Sequence, residues 1–322
     1  MHPLDQLETL DGYRQLFTSL SFWQGYVRQV CSLHGLSCTA VRTGIPGTCP
    51  VFIVDERWVV KFFGRLFDGA SSFRTELAAA HLLAEQPILP GAALVASGSM
   101  AWQASDWKWP YLVFERVDGL SYGEAEPQLV FAEKLEMAVH LGGWLRALHA
   151  LPLPADGPFA PGWEEFAAFL AVQRSGCAAR HAAWGRLPPA LISQLEAFLP
   201  DCEALLERST RPHLIHADLT GDHLLGQVHN GRWRSLAIID FGDARSGPLE
   251  YELVALHLDL FRGDRRLLGA FLRSYGCTPP AGFSRRMLAY TLLHQFDFSS
   301  LLPLQTCPAS LEELAEQVWS VE

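Results

Sequence analysis

The stretch Leu214-Ile215-His216-Ala217-Asp218-Leu219-Thr220-Gly221-Asp222-His223-Leu224-Leu225, with Leu236-Ala237-Ile238-Ile239-Asp240-Phe241-Gly242-Asp243 just after it, decides the fold. Two short apolar runs each end at an acid, Asp218 and Asp240. A polar, hairpin-like turn at Asn230-Gly231 separates them. The layout suits phosphoryl transfer, in which one carboxylate meets a hydroxyl and another holds a metal on phosphates.

Upstream of these runs the chain changes character twice. Residues 13–34 carry Leu16, Leu20, Trp23, Val27 and Val30 at helical spacing, which predicts a leading helix. Val51–Val54 and Trp58–Phe63 are β-rich and joined by Asp55-Glu56-Arg57, which predicts a hairpin. Thr43-Gly44-Ile45-Pro46-Gly47-Thr48 ahead of it is a small-residue turn. Residues 73–84 are expected to be helical, and 109–117 to form a strand that ends at Asp118-Gly119. Beyond that point helices are expected over 131–149, 163–175, 188–208, 250–262, 264–275, 284–300 and 309–319, with a Pro- and Gly-rich connector over 151–162. A β-rich first third before a helical remainder predicts an α+β fold of two lobes. Residues 1–117 would form the N-terminal lobe with its leading helix, and 118–322 the C-terminal lobe.

Bulk composition narrows the function. At 322 residues, with 49% hydrophobic and 19% charged, the chain can bury a sizeable core and is not a disordered segment. The net charge of −10 argues against an electrostatic grip on nucleic acid or an anionic membrane. Seven cysteines with no Cys-x-x-Cys pair fit reduced thiols in a cytoplasmic protein. Met1–Gln6 lacks a basic stretch followed by an apolar one, so no signal peptide is expected. No apolar run approaches the roughly 20 residues of a membrane span.

Five features now stand in order: Val59-Val60-Lys61, Glu76 on the following helix, Leu141–His149 ending in Leu-His, His216-x-Asp218, and Ile239-Asp240-Phe241-Gly242-Asp243. Together they resemble the aminoglycoside phosphotransferase family of kinase-like small-molecule kinases, from about residue 40 to about 300. The resemblance implies a bilobal, protein-kinase-like fold with a small β-rich nucleotide lobe and a larger, mainly helical substrate lobe. It also implies transfer of the γ-phosphate of ATP or GTP to a hydroxyl of a small molecule, an antibiotic such as an aminoglycoside or a small metabolite. No Ala-Pro-Glu segment or His-Arg-Asp is present, which favours a small-molecule acceptor over a protein. A monomer or homodimer is expected.

The resemblance and the residue chemistry assign roles together. Asp218 would be the catalytic base, accepting the substrate hydroxyl's hydrogen bond and taking its proton late in transfer. Lys61 would contact the α- and β-phosphates, with Glu76 holding it forward and Glu85 as the competing partner. Gly44, Gly47 and Thr48 would cover the phosphates with backbone N–H groups. Glu115 and Val117 would bind the nucleotide base through the hinge backbone. Asp240 would ligate magnesium. The kinase template places Asn five residues after the catalytic Asp, but here that residue is His223. Imidazole suits manganese or zinc better than magnesium, so His223 is a candidate metal or phosphate contact, with Mn²⁺ as the second option and Asp222 or Asp243 as substitute oxygen donors. His216 is expected to support the loop. Glu252 stands where relatives carry an Asp and would anchor the loops.

Two other classes compete. His213, His216, Asp218, Asp222 and His223 are dense enough in sequence for a metal-dependent hydrolase, although the spacing fits neither His-Glu-x-x-His nor a zinc pattern. The His223 departure alone would also suit a nucleotide-binding regulator that has lost activity.

Overall fold

The computed structural model describes residues 3–45, 47–86, 89, 91–100 and 107–321; Pro46, inside the small-residue turn, lies outside them. The chain divides into two compact units. One is Met1–Asp118 with Ala237–Asp243, and the other is Gly119–Leu236 with Ala244–Glu322.

The first unit begins with α1 (Leu10–Leu16) and α2 (Leu20–Leu33), then β1 (Val41–Thr43), β2 (Val51–Val54), β3 (Trp58–Phe62), α3 (Gly69–Ala84), β4 (Leu94–Met100) and β5 (Trp109–Glu115). Its sheet has the order β1-β2-β3-β5-β4, with every neighbouring pair antiparallel. The leading helix expected over 13–34 is two helices. The Phe17 N–H still bonds back to Tyr13, and the chain then turns extended at Ser19 before α2 starts. The β2–β3 hairpin turns through Asp55 and Glu56, at φ of 50° and 51°. Asp55 tolerates this because its carboxylate accepts from the Thr39 and Ala40 amides. Strand β4 escaped the sequence reading because Ala96-Ser97-Gly98-Ser99 has little β-propensity.

Alternation along β3 decides where Lys61 points. Val60 and Phe62 join one core cluster with Trp23 and Trp109, while Val59, on the other face, packs with Leu77, Phe73 and Ala80 of α3. Lys61 shares the parity of Val59. On α3, Glu76 lies three residues after Phe73 and four before Ala80, so it shares the packed face of the helix. That helix starts at Gly69, four residues before the expected Phe73. A Cβ at Gly69 would stand 2.0 Å from the Gly64 carbonyl oxygen, so only glycine permits this start.

The second unit holds β6 (Leu120–Ser121), α4 (Tyr122–Ala125), α5 (Phe131–His149), α6 (Glu164–Ser175), α7 (Cys177–Trp184), α8 (Pro189–Ile192), α9 (Leu195–Phe198), β7 (His213–Ile215) and β8 (Leu224–His229). After it come β9 (Arg232–Ile238), whose last two residues belong to the first unit, β10 (Arg245–Gly247), α10 (Leu249–Ala255), α11 (Arg265–Tyr275), α12 (Phe283–Leu292) and α13 (Leu311–Trp319). The turn at Asn230-Gly231 joins β8 to β9, with φ of 52° and 76° as a tight two-residue hairpin requires. The Ile215 run pairs elsewhere, antiparallel to β10. Helix α5 spans the expected 131–149. A Cβ on Gly142 would meet the Phe271 carbonyl at 2.6 Å, so this glycine lets α5 approach α11 closely. The helix expected over 188–208 is instead α8, α9 and a short 3-10 turn at Cys202–Leu205. Pro188, Pro189 and Pro200 fix φ and withhold donors there. The helix expected over 284–300 stops at Leu292.

Candidate functional site

In the first unit, Lys61 Nζ donates to Glu76 Oε2 at 2.7 Å and to Asp240 Oδ1 at 2.6 Å. The Lys61 and Glu76 side chains are 8% and 6% exposed, against 40% for Asp240. Burial opposes the Lys61 charge, but Asp240 and Glu76 outweigh it and hold the amine well above its ordinary range. Burial pushes Glu76 up to about 7, with Lys61 pulling it down and Asp240 adding to the rise. A protonated, buried ammonium between two carboxylates is therefore fixed in place, and the more exposed acid is Asp240. Glu85 ends α3 as an exposed residue. Asp240 sits at φ 65°, and the next turn, Phe241–Asp243, packs on α3 with Gly242 beside Ser72 and Glu76.

In the second unit, β7 delivers His216-Ala217-Asp218. His216 is fully buried, and its Nδ1 accepts from the Asp218 N–H at 3.3 Å, so its proton rests on Nε2. Ala217 has φ 66°, a left-handed conformation that is strained for alanine. Its N–H donates to Glu252 Oε2 at 3.0 Å, where the fully buried Glu252 anchors the loop from α10. Burial pushes the Glu252 carboxyl up to about 7, against the lowering effect of the Ala217 and His216 amides. His223 Nδ1 donates to the Asp218 carbonyl at 2.6 Å and lies 3.2 Å from Thr220 Oγ1 and 3.8 Å from Asp218 Oδ2. The Gly221 N–H donates to Asp259 Oδ1 at 2.8 Å. Asp259 was missed from sequence. Its signal was its place seven residues after Glu252, two helical turns on, which turns both acids toward one loop.

The remaining candidates are dispersed along the first unit. Gly44 is half-buried, with its N–H on the Val51 carbonyl at 2.8 Å; Gly47 and Thr48 are exposed, and the Thr48 carbonyl accepts from the Tyr13 hydroxyl. Glu115 ends β5 with its N–H on the Ala93 carbonyl at 2.8 Å, and Val117 follows in coil.

Each unit holds one side chain with the chemistry of a divalent-ion ligand: a carboxylate oxygen that suits magnesium in the first, and an imidazole nitrogen that suits manganese better in the second. Asp240 offers a hard carboxylate oxygen. His223 spends its Nδ1 proton on a backbone carbonyl, which leaves Nε2 as the nitrogen that would meet a metal, as in ligating histidines. Among the described residues no group of three or more His, Cys, Asp and Glu is arranged to hold a metal by itself. Magnesium needs no such cage, since phosphates and water complete its shell. Of the sequence cluster, His216, Asp218 and His223 stay together, with the two imidazole rings 5.5 Å apart and His223 Nδ1 3.8 Å from Asp218 Oδ2, while His213 and Asp222 turn to other partners. His213 stacks on His149 with centroids 5.2 Å apart, and Asp222 lies 3.4 Å from Ser121 Oγ.

The comparisons agree with this fold. The solved GDP and kanamycin complex of APH(2")-IIia superposes with a TM-score of 0.65 at 20% identity, over 91% of this chain and 96% of that one. A microcompartment-associated aminopropanol kinase gives 0.54 at 16% identity, over 91% of this chain and 93% of that one. These likenesses show the kinase-like α+β fold. "Lysine-specific demethylase JMJ21" of Arabidopsis thaliana is 25% identical over 273 residues, which span 66% of this chain and 29% of the plant protein. The chain thus covers under a third of the length of that curated relative. The model of the APH family, described as the phosphotransferase enzyme family, matches residues 50–288. With that match across most of its length and a kinase-like fold around it, the chain belongs to the phosphotransferase enzyme family.

Proposed function

We propose that this enzyme moves the γ-phosphate of ATP or GTP to a hydroxyl of a small amine-bearing molecule, an aminoglycoside or an amino alcohol. The observation that carries the reading is the buried Lys61 ammonium held by Glu76 and Asp240. A chain does not bury a charge at this cost unless the charge has work to do. Lys61 binds and orients the nucleotide phosphates, and Glu76 keeps it aimed. The backbone of Gly44, Gly47 and Thr48 covers them, and the chain at Glu115 and Val117 takes the base. A bound magnesium ion, taking a carboxylate oxygen from Asp240, would neutralise phosphate charge, and the His223 Nε2 is the second candidate contact, for Mn²⁺ or for phosphate.

Asp218 accepts the acceptor's O–H hydrogen bond and turns an oxygen lone pair toward phosphorus. As the new O–P bond forms, the bond from phosphorus to the β–γ bridging oxygen breaks and the nucleoside diphosphate leaves with that electron pair. The hydroxyl proton passes to Asp218 late in the transfer. Most of the acceleration comes from placement and charge, not from basicity. Acidity favours cationic acceptors, since the chain carries a net charge of −10. One similar structure holds kanamycin and another is named for aminopropanol.

The test is turnover of ATP and GTP against a panel of aminoglycosides and amino alcohols, with the Asp218→Ala variant alongside. We expect a phosphorylated product from the native chain. We expect the variant to lose roughly a thousandfold in kcat while keeping its nucleotide affinity. Normal turnover by the variant sinks the role of Asp218. Nucleotide binding without turnover on any acceptor replaces the enzyme with a nucleotide-binding regulator.

A further inference from the structure

The family match begins at residue 50, yet a side chain well ahead of it reaches the turn proposed to cover the phosphates. The segment before α2 is part of the first unit's core. Leu4, Leu7 and Tyr13 are buried in one cluster with Trp23, Phe62 and Trp109. On α1, the Tyr13 ring stacks on Phe17 with centroids 5.5 Å apart and meets Phe67 edge-on at 5.5 Å. It passes the end of β3 at Gly64, three residues after Lys61. A Cβ on Gly64 would stand 3.2 Å from Tyr13 Cε2 and 3.1 Å from the Trp109 ring, so a larger residue would crowd Tyr13 back.

The Tyr13 hydroxyl ends at the small-residue turn, where it donates to the Thr48 carbonyl. Tyr13 is 4% exposed, and burial, reinforced by Cys49 and opposed by Lys61, raises its pKa. The phenol therefore stays protonated as a donor. Burial also pushes the Cys49 thiol up to about 12, with Lys61 opposing and Asp240 and Glu76 adding to the rise, so the chain at Cys49 borders the Lys61 cluster.

The peptide between Thr48 and Cys49 is trans, and a trans peptide points its carbonyl oxygen and the following N–H in opposite directions. With the Thr48 oxygen committed to Tyr13, the Cys49 N–H points away from that hydroxyl, and it has no acceptor among the described residues. Phosphate oxygens accept from such backbone N–H groups. A carbonyl oxygen turned toward them would repel.

We propose that Tyr13 is a positioning residue of the nucleotide site, whose hydroxyl fixes the peptide between Thr48 and Cys49 so that the Cys49 N–H meets the triphosphate. This rests on the phosphotransfer reading and adds to it a residue from outside the matched segment. Tyr13 acts through the turn and touches neither nucleotide nor acceptor. Without its hydroxyl the peptide can rotate and present oxygen to the phosphates.

The test compares the full chain with its Tyr13→Phe variant, which keeps the ring and its packing on Phe17 and Phe67. Hydrogen exchange at residues 47–49, read without nucleotide, should quicken in the variant. Calorimetry with ATP and GTP, each with magnesium, should show triphosphate affinity falling about tenfold. The affinity for adenosine and guanosine, followed by saturation-transfer NMR, should not change. A role confined to packing would lower the melting temperature without separating triphosphate from nucleoside. Unchanged exchange at residues 47–49, unchanged triphosphate affinity, or an equal loss for nucleoside and triphosphate each overturns the assignment. Failure of the native chain to bind either triphosphate is a different result, since it removes the phosphotransfer reading and this assignment with it.

Discussion

Glu252 shows how a single residue can be read two ways. As a hydrogen-bond acceptor it holds Ala217 in a conformation alanine resists. As a buried acid with a pKa of about 7, it also sets a pH dependence. Its folded pKa lies above the roughly 4.3 of an unfolded glutamate, so the native state binds its proton more tightly. The stabilisation is full below the unfolded value and is lost as pH rises toward 7. That amounts to about 3 kcal/mol over the window, as an order of magnitude. Glu252→Gln keeps an oxygen for the Ala217 amide and removes the titration. Urea unfolding from pH 5 to pH 8 should show the variant gaining on the native chain as pH rises. A constant difference would mean that Glu252 does not titrate there. At this scale much was legible in sequence, because Lys61 and Asp240 stood out as charges in apolar company and Glu76 by its place near the start of the following helix, and the structure brings those three together. The hold of Asp259 on Gly221 was not, because a hydrogen bond to a backbone amide leaves no trace in the identity of the residue that donates it.

Elements were legible where hydrophobic periodicity was strong and uninterrupted. Helix α5 follows its pattern from end to end, whereas the prolines over 188–200 broke a helix that the leucines alone suggested. Small residues hid β4, and tertiary packing moved the start of α3 upstream to Gly69. The last point can be tested. Gly69→Ala places a methyl 2.0 Å from the Gly64 carbonyl oxygen, so the start of α3 must shift. The expected cost is about 1–3 kcal/mol, along with a weaker hold on Lys61 through Glu76. Gly25→Ala, in the exposed middle of α2 with nothing within 4 Å, should do the reverse and stabilise by about 1 kcal/mol. Chemical denaturation of both variants checks the pair, and equal signs would mean that the close approach at Gly69 is not limiting.

For the whole molecule, the residues proposed to meet phosphate, Lys61, Glu76 and Asp240, belong to the first unit, and the proposed base, Asp218, to the second. A nucleotide that binds only the folded chain raises its melting temperature by mass action. At about a hundred times its Kd the gain is about 2.7 kcal/mol, which amounts to several degrees for a chain of this size. Melting with ATP or GTP, each with and without magnesium, should show a shift only when nucleotide and metal are present together. The nucleotide with the larger shift is the donor. A shift with metal alone would speak for a metal centre independent of nucleotide. Family and fold class were readable from five motifs, but the acceptor was not. Acceptor choice depends on the shape and charge of a binding surface, and no short motif encodes that.

The left-handed backbone at Ala217 and Asp240 has a consequence for how the enzyme can change over time. Position 217 is buried and strained, so a branched or bulky side chain there would tilt the neighbouring acid before it altered anything else. Asp240 combines the same twist with a carboxylate and admits still fewer replacements. Lineages descending from this sequence can therefore drift at the exposed positions of the short helices over 177–205, while these two twists of the backbone stay frozen.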